Sequence, residues 1–171
     1  PARAYPELYD AFLAYNQHAF AQGQSGLKDP FAYETPAFDL TGYGLPDDRY
    51  RRTVDTASGL GTACLSGGQR ANMARGGALL GQTSMPLGGE NTNTVIAAHR
   101  GYYGAEMLRN VQQIQIGDKI TMTTPWDTLV YRVCEAENYT AGRHKHRADT
   151  ARPRPAYLTT CHPTPNTSAT W

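Results

Sequence analysis

Two residues in this chain could do chemistry together, a histidine and a cysteine 62 positions apart. His99 closes the run TNTVIAAH, and Cys161 closes LTTC. Both runs are rich in Thr, Val, Ile and Leu and read as β-strands that end before turn-prone segments, HRG and CHP. A thiol and an imidazole at the ends of adjacent strands can form a thiolate–imidazole pair, a nucleophile with its proton donor and acceptor. The plainer alternative for Cys161 is a small buried apolar residue, the common lot of an unbridged cysteine.

The other candidates lack such a setting. Cys64 and Cys134 read as structural cysteines without a partner motif, and His18 as a solvated residue on a helix. His144, His146 and His162 could be imagined around Cys161 as a zinc site, but their spacing matches no established ligand pattern. No metal and no cofactor are expected.

The pair must be positioned by a β-rich frame. Val95, Ala97 and His99 alternate with Thr94, Ile96 and Ala98, so the two sets point to opposite faces. Gly117-Asp118 turns the chain into a strand at Lys119–Thr123, and Pro125-Trp126-Asp127 turns it again into Thr128–Cys134. Tyr103 to Gln113 reads as a short helical connection. Ahead of these strands, residues 5–22 form an amphipathic helix: Pro6 suits its first turn, Leu8, Phe12, Tyr15 and Phe20 recur near helical spacing, and Gly23 stops it. That stripe is expected to pack on the strands. Residues 24–49 carry Gly, Pro and Asp with few periodic apolar positions, and loops of this length are usually functional or disordered. The whole predicts a mainly all-β domain, a closed or nearly closed barrel with an N-terminal helix and short connecting helices.

Composition narrows the function. A chain of 171 residues is one domain, large enough to bury a core without disulfides or metal. A formal charge of +1 argues against binding nucleic acid. No apolar run approaches the length of a membrane span. Three cysteines give no disulfide framework. The opening Pro1-Ala2-Arg3 shows no signal peptide and suggests a trimmed chain.

The motifs NTNTVIAAHRG and LTTCHP resemble those of the sortases, cysteine transpeptidases of Gram-positive cell surfaces. The stretch from Ala71 to Val133 is similar to that family almost throughout, and most like class C, the pilin-polymerising branch. The GG-E-NT before the strand, the HRG after it and the later IGDK turn carry the likeness. Asp29-Pro30-Phe31 resembles the class C lid, an Asp-Pro-aromatic loop laid over the cleft. An ordinary Asp-Pro turn followed by a core aromatic would look the same. A papain-like protease is set aside, because it carries its cysteine at a helix start and ahead of the histidine.

Two stretches, Arg51 to Arg70 and Ala141 to Tyr157, lack a strand period where the resemblance requires strands. As they stand they could be polar surface loops or a disordered insert. Shifting the reading frame forward by one base admits I-P-R-L-G-L-E-L-P-V-Y-L-G-G-S-E over Asp55–Arg70 and L-I-Q-P-G-R-D-L-L-T over Ala148–Tyr157. Apolar alternation returns in both. After Pro163 the opposite shift admits Y-T-Q-Y-Q-R-Y-L, with an arginine at the place of Ala169. We read the chain as frame-shifted at about 51–70, 141–158 and 164–171. The distinction bears on chemistry, since the resemblance implies an arginine a few residues after the cysteine and none stands between Cys161 and Trp171. The last strand is expected to be cut short. Arg100, Arg152 and Arg154 are poor substitutes, being on the wrong face or upstream of the nucleophile.

The resemblance therefore implies one catalytic domain over 1–171: a helix at 5–22, a lid-like loop at 24–49 holding Asp29 and Phe31, and a barrel over 50–171. Its catalytic residues would be His99 and Cys161. Its substrates would be an LPXTG-type surface protein or pilin, together with an amine from a pilin lysine or cell-wall peptide. It would work outside the membrane of a Gram-positive bacterium, anchored through segments beyond this chain. The alternative is an impaired or inactive domain of the same outline that at most binds peptide.

Overall fold

The computed structural model describes residues 4–22, 38–45, 73–79, 83–100 and 107–136, and the backbones of strands at 49–56, 61–65, 156–159, 161–163 and 168–170. Among the described residues one long helix precedes the strands. Helix α1 spans Pro6–Ala21, with proline in its first turn and Glu7 near the positive end of the helix dipole. It buries Leu8 and Phe12 completely, and Asn16 continues the same face one turn on. Phe20, expected in that stripe, is instead 44% exposed, because the buried face ends at the polar Asn16.

Among the described residues nine strands follow: β1 (Arg49–Thr56), β2 (Gly61–Leu65), β3 (Gly77–Leu79), β4 (Thr94–Ala97), β5 (Lys119–Thr123), β6 (Thr128–Arg132), β7 (Ala156–Thr159), β8 (Cys161–Pro163) and β9 (Ser168–Thr170). The first seven make one mixed sheet in the order β6-β5-β1-β2-β3-β4-β7, and β8 and β9 pair by themselves. Two of the pairings are parallel, β2 with β3 and β4 with β7. Among the described residues no pair between β6 and β7 closes the sheet. Parallel neighbours require long crossovers, and the connection from β4 to β7 contains β5 and β6.

Several elements end earlier than the sequence suggests, each where a partner runs out. β4 stops at Ala97 because its last pairings there are with Ala78 of β3 and Thr159 of β7. β6 stops at Arg132, opposite the first residue of β5. Cys134 therefore lies beyond the strand and is exposed, not buried as a structural cysteine would be. Of the expected helical connection, the described part is a turn at 107–110 leading into a single 3-10 turn, η2 (Val111–Gln113).

β1 and β2 fall within or against the stretch that lacks a strand period. Pairing supplies what periodicity does not. β1 is held on one edge by β2 and on the other by β5, through Val54–Met122, Asp55–Thr121 and Thr56–Ile120. The register with β2 slips between Tyr50 and Thr53, a bulge or irregularity within that stretch. β7 begins inside the second such stretch, at Ala156. Arg147 and Arg152 lie outside the described residues, and of Asp55 only the backbone is described.

The core joins α1 to the strands through Leu8, Phe12, Leu40, Leu45, Leu79, Met85, Ile96 and Met122. Burying each such side chain is worth about 1.5–3 kcal/mol. Phe12 meets Phe38 and Trp126 edge-on at ring-centroid distances of 5.0 and 5.6 Å, and Tyr9 meets Trp126 at 5.3 Å. The Trp126 Nε1–H donates to the Ala4 carbonyl, fastening the start of α1 to the β5–β6 turn. Leu40 and Leu45 belong to the end of the segment expected to be a loop. They flank a 3-10 turn, η1 (Thr41–Tyr43), which Gly44 terminates at a positive φ of 84°. The 38–45 end of that loop is thus part of the core, while Asp29 and Phe31 lie outside the described residues.

Candidate functional site

The site is organised by the parallel pair β4–β7. Its register is Thr94–Ala156, Val95–Tyr157, Ile96–Leu158 and Ala97–Thr159, a constant offset of 62 residues. His99 and Cys161 obey the same offset. Each stands two residues beyond the last paired position, at the same end of neighbouring parallel strands. In the strand reading each residue closed its strand. In the structure His99 lies just past β4, and Cys161 opens β8, the short strand that pairs with β9.

A ladder of hydrogen bonds fixes the histidine side. Asn16 on α1 is 5% exposed and uses both ends of its amide on Met85: Nδ2–H donates to the Met85 carbonyl at 2.9 Å, and Oδ1 accepts from the Met85 N–H at 2.6 Å. The neighbouring Ser84 then grips the start of β4. Its N–H donates to the Asn93 carbonyl at 2.7 Å, and its Oγ accepts from the Asn93 N–H at 2.9 Å. Thr94 Oγ1–H donates to the Ser84 carbonyl at 3.1 Å, and the Val95 N–H donates to Thr83 Oγ1 at 3.4 Å. Polar groups this deep must be bonded, and here they tie helix, loop and strand into one unit. Ala97 and Ala98 carry β4 buried up to a half-buried His99.

Beyond His99 the chain is held again. The His99 carbonyl accepts from the Leu108 N–H at 3.2 Å, and Arg100 Nη2–H donates to Gln112 Oε1 at 2.5 Å. Neither Gln112 nor Asn16 announces itself in sequence as a site residue. Asn16 could be read only as a polar interruption of an apolar stripe.

On the cysteine side the structure gives backbone order. β8 and β9 pair antiparallel, with Cys161 opposite Thr170, His162 opposite Ala169 and Pro163 opposite Ser168. Ala169, where the shifted frame places an arginine, is therefore opposite His162 and not opposite Cys161. Cys64 lies in β2, and His18 is an exposed residue of α1 bonded to Gln22 at 2.8 Å. His144 and His146 lie outside the described residues.

Two neighbouring strands lead towards a histidine and a cysteine at one end of the pair. The profile of the sortase domain matches residues 56–170. This chain belongs to the sortase family, a family of cysteine transpeptidases. Its fold is the sortase β-barrel. Sortase C1 of Streptococcus agalactiae is 22% identical with a TM-score of 0.74, over 96% of this chain and 81% of that one. Sortase C of Streptococcus pneumoniae is 24% identical with a TM-score of 0.67, over 94% and 84%. A lid mutant of sortase A from Corynebacterium diphtheriae is 22% identical with a TM-score of 0.68, over 96% and 90%. Among curated proteins none matches this chain.

Proposed function

We propose that this chain descends from a class C sortase that cleaves an LPXTG-like sorting signal and joins it to an amine, with Cys161 as nucleophile and His99 as general acid and base. The observation that carries this is the shared offset of the β4–β7 register, which brings residues 99 and 161 to the same strand ends. The class C assignment leans on the HRG and Asp-Pro-Phe motifs and on likeness to pilus sortases. The pneumococcal relative is described in terms of its pilin substrate specificity.

In this mechanism the Cys161 thiolate attacks the threonine carbonyl of the signal, and a tetrahedral intermediate forms. His99 gives its proton to the departing glycine amine as the peptide bond breaks, leaving a thioester. The neutral imidazole then takes a proton from the incoming amine, of a pilin lysine or cell-wall peptide. That amine displaces the Cys161 sulfur and forms the new amide bond. The work belongs at the outer face of a Gram-positive cell membrane. No helix among the described residues is long and apolar enough to cross a membrane.

A second reading, a domain of this family with impaired catalysis, is favoured by the residues after Cys161. No arginine lies there, and the position opposite Cys161 on β9 is Thr170. Loss of one oxyanion donor costs about a hundred- to a thousandfold in rate. Both readings are tested by assaying this chain with an LPXTG-type peptide beside Cys161→Ala, Thr170→Arg and a chain carrying Y-T-Q-Y-Q-R-Y-L over 164–171. The expected result is a trace of Cys161-dependent thioester in the parent and turnover raised by about a hundredfold or more in a restored chain. Equal turnover in parent and restored chains would show that the arginine is dispensable. Absence of a Cys161 thioester in every chain would end the transpeptidase reading.

A further inference from the structure

We infer that Arg100 and Gln112 form a clamp that positions His99, so that Gln112, on a segment with no motif of its own, is a positioning residue of the site. The inference rests on the reading of His99 and Cys161 as a reacting pair. Two bonds converge on the His99-Arg100 dipeptide from one short segment, 107–113. The Leu108 N–H reaches the His99 carbonyl, and the Gln112 side chain accepts from the Arg100 guanidinium at 2.5 Å.

That segment is itself anchored. Leu108 is 1% exposed and Met107 6%, so the base of the clamp is set in the interior. Met107 holds a φ of 38°, a conformation L side chains rarely adopt, and it turns the chain so that the next N–H faces His99. From Leu108 the backbone coils directly into η2: Val111 N–H donates to the Leu108 carbonyl at 3.2 Å, and Gln113 N–H to the Asn110 carbonyl at 2.9 Å. Gln112 thus projects from a turn whose root is the residue that bonds His99. Arg100, immediately after His99, is the handle by which this turn holds the histidine's far side.

The stability at stake is small, since Gln112 is exposed and the Arg100–Gln112 bond faces solvent. Geometry is the larger stake, because small displacements of paired reacting groups cost large factors in rate. Arg100 also presents a fixed planar donor, so a lysine would not reproduce the contact.

The test reads the pair without requiring turnover. In a Cys64→Ser, Cys134→Ser background, the rate of Cys161 alkylation by iodoacetamide is followed from pH 5 to 10. His99→Ala is expected to move the profile towards that of an ordinary thiol, near pH 8.5. Gln112→Ala and Arg100→Ala are each expected to slow neutral-pH alkylation by about fivefold, with unchanged circular dichroism and melting temperature. Their double variant should be no slower than either alone, as expected of two partners in one contact. Gln112→Glu, which keeps the acceptor, should return the parent profile. A Gln112→Ala profile identical to the parent, with His99→Ala displaced, would overturn the clamp and leave the pair standing. A His99→Ala profile identical to the parent would remove the pair and the clamp with it.

Discussion

The histidine side of the site is tied to α1 and to the loop at 83–85, and the cysteine side is tied to β4 through strand pairing. On the histidine side Asn16 holds Met85, Ser84 and Thr83 hold the start of β4, the Leu108 N–H holds His99 and the Gln112 side chain holds Arg100. On the cysteine side the backbone pairs at four parallel positions against β4 and at three antiparallel positions between β8 and β9. β4 is therefore the shared reference. What fixes β4 fixes His99 directly, and fixes the approach to Cys161 at second hand. The cost of misplacing the brace should fall on both residues, whereas a change confined to β8–β9 should fall on Cys161 alone.

The strongest way to break that asymmetry is at the root of the brace. Phe12 is fully buried between Phe38 and Trp126, so Phe12→Ala should cost about 3–5 kcal/mol. Denaturant melts would measure the loss. Asn16→Ala is the more selective probe. It strands the Met85 N–H in the interior, while the Met85 carbonyl keeps the Leu87 N–H at 2.9 Å, for about 1–3 kcal/mol. Hydrogen exchange should then quicken first at Met85, Asn93 and Val95, before the β5–β6 pair responds. If all strands lose protection together, α1 supports the whole sheet and not β4 in particular.

How much of this could be read beforehand depends on which forces are local. Helix α1 and strand β5 announce themselves because periodicity and turn residues lie within a few positions of each other: the helix was expected at 5–22 and spans Pro6–Ala21, and β5 coincides with Lys119–Thr123. The ends of β4 and β6 were not legible, because they are set by where distant partners stop. η1 was hidden inside a run of loop-forming residues, although Leu40 and Leu45 are core. The mixed sheet order also escaped, since parallel pairing leaves no turn between its strands. His99 and Cys161 stood out by residue type and neighbouring motif. Their common register needed the strands themselves, and Gln112 could be connected to His99 only through space. The strands β1 and β2 within aperiodic sequence show the remaining limit: partners on both sides can impose extension where the local pattern does not ask for it.

The gentlest probe sharpens the account of the helix side, where the 38–45 segment contributes Phe38, Leu40 and Leu45 to the packing under α1. The exposed Asp39 carboxylate organises that segment. Its Oδ1 accepts from Thr41 Oγ1–H at 2.6 Å, from the Thr41 N–H at 3.1 Å and from the Gly42 N–H at 3.2 Å. The Thr41 hydroxyl, followed by the Gly42 N–H, holds the Asp39 carboxyl below its ordinary range. A depressed folded value means that the unfolded chain takes up the proton first. The contribution is thus fully present above the unfolded value of about 3.9 and fades as pH falls through the lower folded one. Asp39→Asn keeps an oxygen acceptor but removes the charge, so it should lower the melting temperature slightly at pH 7, less than either core substitution does. The difference from the parent should shrink as the pH is taken from 5 to 2. A constant difference over that range would show that the bonds to Asp39 do not depend on its charge, and that η1 is held by Leu40 and Leu45 alone.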